Sequence, residues 1–140
     1  MGRVIKTNST GKTRHHLRRT IAELLRRLSQ KRGVDEDVKN MTAMIVFCLA
    51  EIDAGIQSSA ASWEKRDYWI KADRFRRDWA WVNEAAENLT ELIVEDDWAR
   101  LPSAMLQLLP HFADISVARL TRSTDMWSDA YQRLMAEVNE

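Results

Sequence analysis

The chain has 140 residues, with 21 Lys/Arg balanced by 21 Asp/Glu, four glycines, two prolines and one cysteine. That length suits a single domain able to bury a core without metal or disulfide staples, and the lone Cys48 excludes an internal disulfide. No secretory signal and no apolar run of bilayer-spanning length stands in the sequence, so a cytoplasmic protein without a membrane span is expected.

Residues 1–11 are polar, and the sequence predicts a short flexible basic arm there. The string Thr7 to Thr13 invites comparison with a phosphate-binding loop, but Lys6 stands where that motif needs its first glycine, and no βαβ unit surrounds it. A first helix is predicted over Lys12–Lys31. Leu17, Ile21, Leu24, Leu25 and Leu28 form its apolar stripe, with Arg18, Arg19, Arg26 and Arg27 outside it and Gly33 beyond its end. Asp35, Glu36 and Asp37 open a second helix, where the helix dipole favours acids. Its main face is Val38, Met41, Ile45, Cys48, Leu49, Ile52 and Ile56, and residues 43–50 are apolar on every side, which places it at the centre of the bundle or in an oligomer seam. Gly55–Ser62 is the expected turn; the alternative is that the second helix continues through it.

The stretch Trp63–Ile93 holds four of the six tryptophans and reads as one long helix with Ser62 as its N-cap. Its stripe is Ala72, Phe75, Trp79, Val82, Ala86, Leu89 and Ile93, at alternating spacings of three and four. Trp79 belongs to that stripe and Trp69 flanks it. Trp81 lies roughly 200° round the helix from Trp79, so one of the two meets a second layer, a partner or solvent. Glu95, Asp96 and Asp97 precede a short fourth helix with Trp98, Leu101, Met105, Leu108 and Phe112 on one face, Pro102 in its first turn and Pro110 at its end. A last helix is predicted over 114–138, kinked or split near Arg122–Asp125. Nothing alternates as a strand does. The fold predicted is therefore all-α: one compact bundle of four to five mostly antiparallel helices over residues 12–140.

Charge supplies the functional hint. Residues 1–33 hold ten Lys/Arg against Glu23 alone, a net +9, and the remainder carries −9. Lys12, Arg14, Arg18, Arg19, Arg26 and Arg27 are the candidate phosphate contacts, for DNA or RNA. Residues 65–77 add a basic, aromatic-rich surface on which single strands would stack. Trp63, Trp69 and Trp81 are the candidate interface residues. Enzyme chemistry has no sequence support: His15 and His16 point apart on a helix, His111 is remote, and Cys48 in its apolar run reads as a buried thiol. Paired cysteines and Glu-x-x-His motifs are absent, so no metal or cofactor is implied. The leading expectation is a non-enzymatic binding module whose arm and first helix contact a polyanion. The second is a protein–protein adaptor or self-assembling scaffold, in which the early arginines pair with Glu91, Glu95, Asp96 or Asp97 or with a partner's acids.

Overall fold

The computed structural model describes residues 6–140, with side chains from Thr10 onward. Six α-helices follow in order: α1 (Lys6–Ser29), α2 (Glu36–Lys65), α3 (Trp69–Asp78), α4 (Ala80–Val94), α5 (Leu101–Leu108) and α6 (Ala130–Val138). Short 3₁₀ turns flank α5 at Trp98–Arg100 and Leu109–Phe112, and another precedes α6 at Thr124–Met126. Only Trp79 separates α3 from α4, so the bundle has five rods and the all-α architecture is as expected.

The central rod is α2, packed against α1, α3, α4 and α6. Val38, Met41, Ile45, Cys48, Leu49, Ile52 and Ile56 are all buried, as their spacing requires. Asp35 caps its start by accepting the Val38 N–H at 2.8 Å. Side-chain contacts give the directions. Thr10 lies beside Gly55, and Arg76 bonds Gln57 and Glu64, so α1 and the α3–α4 rod run antiparallel to α2. Asp37, Asn40 and Phe47 of α2 meet Trp127, the Tyr131 N–H and Arg133, so α6 runs parallel to it. By length and composition α2 is apolar enough to cross a membrane, contrary to the sequence expectation, but half of its most apolar window is buried inside the bundle, as in a core helix.

Four boundaries differ from expectation. Residues 6–11 of the predicted arm are the first turns of α1; residues 1–5 lie outside the described residues. No turn forms at 55–62, and the alternative of a second helix continuing through this stretch holds. There α2 continues, because Ile56 and Ala60 extend its buried stripe one turn at a time, and Ser62 lies inside it rather than capping a new helix. The predicted Trp63–Ile93 helix is instead broken twice. Trp63 lies in the last turn of α2, which ends at Lys65, and Asp67 adopts a left-handed φ of 66° while the Asp67 and Tyr68 N–H groups bond the Glu64 and Trp63 carbonyls. That pattern is a Schellman stop with aspartate in the place glycine usually takes. The same stop recurs at the end of α4, with Asp96 at φ 55° and the Trp98 indole N–H donating to its carboxylate at 2.8 Å.

The last correction lies at 113–123, where a helix was predicted and an irregular strap runs back along α1. A strap without regular hydrogen bonding leaves backbone groups to be satisfied, and α1 supplies them. Arg18 donates to the His111 carbonyl at 2.8 Å, Arg26 to that of Val117, and Arg27 to that of Arg122 at 2.7 Å. Glu23 accepts the N–H groups of Thr121 and Arg122 at 2.9 and 2.8 Å.

Candidate functional site

The six cations picked from sequence divide into two groups. Arg18 forms an ion pair with Asp114 at 2.7 Å and lies over Phe112 and Trp79. Arg27 bonds Glu23 at 3.2 Å and sits 5.1 Å above the buried Trp127 ring. Arg26 is exposed but committed to the Val117 carbonyl. Arg14 meets no carboxylate among the described residues; it lies 5.5 and 5.2 Å over Phe75 and Trp79, where burial, and then the charge of Arg18, hold its pKa below the ordinary value. Lys12, Arg19 and Arg26 are exposed with no ion-pair partner among the described residues, and of the three only Arg26 is tied to a carbonyl. The expected basic face of α1 is thus largely the adhesive that holds the strap and the α3–α4 rod. Nor do Glu91, Glu95 and Asp97 serve the early arginines: Arg100 takes all three.

Glu23, the single acid among the first thirty-three residues, is the centre of that adhesive. It is 1% exposed and accepts from Thr121, Arg122 and Arg27. Burial pushes its pKa up, but the backbone bonds from Thr121 and Arg122, with the side-chain bonds of Thr121 and Arg27, outweigh it and hold the carboxyl at about 2.

Free cations gather elsewhere, at the α2–α3 corner. The Schellman stop at Asp67 turns the chain so sharply that Tyr68, Trp69 and Ile70 cannot all face inward, and they stand 53%, 59% and 76% exposed. Lys65, Arg66, Lys71 and Arg74 surround them, all exposed. Arg66 lies over Tyr68 at 5.7 Å and Lys71 over Trp63 at 4.4 Å. Their neighbours Arg76 and Arg77 are by contrast tied to Glu64 and Asp73. The acids in reach of the corner are Asp67 and Asp78, both exposed. An open cleft of about 580 Å³ runs beside it, lined by Trp63, Ile70, Lys71, Arg74, Phe75 and Asp78.

The three tryptophans chosen as interface residues prove to be different things. Trp69 is open to solvent. Trp63 is half-buried and meets Phe75 edge-on at 4.9 Å. Trp81 is half-buried too, stacked between Trp79 at 6.1 Å and His111 at 3.8 Å, so a second layer inside the molecule explains it. Together Trp63 of α2 and Phe75, Trp79 and Trp81 of the α3–α4 rod make a continuous row of rings. The exposure of Tyr68, Trp69 and Ile70 agrees with the basic, aromatic-rich surface expected over residues 65–77, but the break in the helix that turns them outward was not read from the sequence. Cys48 is buried, and desolvation, ahead of the nearby Glu51, pushes its thiol up to about 12. Among the described residues no three His, Cys, Asp or Glu side chains gather as a metal would need. No protein family, curated protein or solved structure matches the chain.

Proposed function

We propose that the chain is a non-enzymatic binding module for single-stranded nucleic acid, and that its contact surface is the α2–α3 corner, supplemented by Lys12 and Arg19 of α1. One observation carries this reading. Tyr68, Trp69 and Ile70 are exposed together beside four exposed cations, Lys65, Arg66, Lys71 and Arg74, that form no ion pair among the described residues. Leaving an indole and a phenol in water is unfavourable by area, and flat rings among Lys and Arg are what a flexible polyanion with π-faces recognises. A duplex suits the corner less well, because its bases are already stacked on each other.

Fluorescence anisotropy with labelled 12-mers at low salt tests it. Single strands should bind more tightly than duplex, and affinity should fall with salt. Trp69→Ala should weaken binding about 5- to 100-fold, the span of a lost base–aromatic stack, and the Lys71→Glu, Arg74→Glu double variant should also flatten the salt dependence. Absence of binding by the wild type, or binding indifferent to all three substitutions, overturns the reading.

A second reading, a self-assembling scaffold, draws on the apolar groove of about 550 Å³ between the α1–α2 loop and α5, where Val34, Leu106 and Leu109 are exposed. Light scattering decides it: a dimer dispersed by Leu106→Glu supports it, and a monomer at high concentration removes it.

A further inference from the structure

Beyond the corner, the row of rings leads to a second cleft, between α4 and α5, enclosing about 290 Å³. Its floor is apolar. Glu84, Asn88 and Gln107 stand round it, and Trp81 and His111 close one end. The His111 imidazole lies flat on the Trp81 indole, with centroids 3.8 Å apart and planes within 6° of parallel. A flat nitrogen heterocycle therefore already occupies the indole face in the geometry of a stacked base.

That occupant is held lightly. Arg18 fixes the His111 carbonyl, but among the described residues no hydrogen bond reaches the imidazole. Burial, and then the Arg18 guanidinium, hold its pKa below the ordinary value, which favours the uncharged ring. His111 sits in the 3₁₀ turn Leu109–Phe112 and is exposed overall, so rotation of its side chain bares the Trp81 face without moving a helix. The groups round the cleft have bonding capacity to spare. Asn88 accepts from Arg100 through Oδ1, leaving its NH₂ group, and neither Glu84 nor Gln107 has a side-chain partner among the described residues. Amides that donate and accept, beside a carboxylate that accepts, are the side chains that read base edges.

We propose that this cleft takes one base of the strand held at the corner: the base replaces His111 on Trp81, and Glu84, Asn88 and Gln107 bond its edge. The inference rests on the single-strand reading above. Trp81 lies seven residues beyond Arg74, about 10 Å along the rod at 1.5 Å per residue, a span that one to two nucleotides bridge. Because Glu84 only accepts when ionised, bases bearing an exocyclic amino group (cytosine, adenine and guanine) should be preferred to thymine, whose base edge donates through N3–H alone.

The experiment compares 12-mers of dT, dC and dA on the wild type and on Trp69→Ala, Trp81→Leu, Glu84→Gln and His111→Ala, each checked for folding by circular dichroism. Trp81→Leu should weaken dC and dA about 5- to 100-fold. Glu84→Gln should erase the preference over dT. His111→Ala should bind more tightly than the wild type, since the competing ring is gone. This last variant alters an exposed side chain and keeps the test alive should Trp81→Leu unfold. Binding that depends on Trp69 but is indifferent to Trp81 and Glu84, or that weakens in His111→Ala, overturns the cleft and leaves the corner standing. No binding by the wild type overturns both.

Discussion

Glu23 shows how far one side chain can depart from its sequence appearance. Amid ten cations it looks like a minor offset of charge, yet it is the buried acceptor on which the strap hangs. Removing a buried, hydrogen-bonded charge strands its partners, so Glu23→Ala should lose about 3–5 kcal/mol in urea unfolding. Its pKa is lowered on folding, from 4.5 to about 2. A carboxylate depressed in this way contributes stability that is complete above the unfolded value and disappears as pH falls through the folded one. The urea midpoint of the wild type should therefore decline between about pH 4.5 and 2, and the Glu23→Ala variant should decline less steeply over that window. Asp67 is the opposite case, a residue under conformational strain at φ 66°. Asp67→Gly relieves a left-handed conformation that costs an L-residue about 1 kcal/mol, partly offset by the unfolded-state freedom of glycine. A gain of about 0.5 kcal/mol, read from the same titration, is the expected result.

Among the elements, α2 and the strap carry the lesson. Gly55 and the serines of 57–62 look like a turn, yet each sits in a helix whose neighbours pay no attention to propensity once the buried stripe continues through Ile56 and Ala60. A Cβ built at Gly55 would lie 3.7 Å from the Thr10 methyl, an ordinary contact. Gly55→Ala should therefore stabilise the protein by about 0.5–1 kcal/mol, seen as a higher thermal midpoint; a loss would mean that α1 and α2 sit closer than described. The strap was unreadable for a different reason. Val117, Leu120, Trp127 and Leu134 keep a helical rhythm, but backbone groups of Val117, Thr121 and Arg122 are bonded by side chains of α1 instead. The side chains that decide the matter lie more than ninety positions away.

For the whole molecule, the question is where charge is left over. The early arginines and the late acids suggested an open basic face on α1, or its neutralisation by the acids near residue 95. Among the described residues only Lys12 and Arg19 keep to the first layout, and Arg100 takes Glu91, Glu95 and Asp97 from the second. Arg14, Arg18, Arg26 and Arg27 are spent on aromatic faces, strap carbonyls and two carboxylates, while four cations without an ion pair among the described residues, Lys65, Arg66, Lys71 and Arg74, cluster at the far end of α2. The two sets should respond oppositely to charge reversal. Arg27→Glu faces Glu23 and the Arg122 carbonyl and should lower the thermal midpoint by several degrees, with little change in affinity per folded molecule. Lys71→Glu should leave the midpoint within a degree or two and weaken strand binding. Calorimetry and anisotropy on the same two variants separate a structural cation from a binding one.

Helical class, the buried face of α2, the stripe through Ala72, Val82, Leu89 and Ile93, and the burial of Cys48 were all legible in the linear order of residues, because periodicity and composition act locally. Which arginines are free, where the longest helix stops, and how Trp81 meets His111 were settled by contacts between segments far apart in the chain. Guanidinium groups satisfied by distant carbonyls, and an aspartate made to take a glycine's conformation, leave no periodic trace, since their cause lies in the partner across the bundle and not in the neighbours along it.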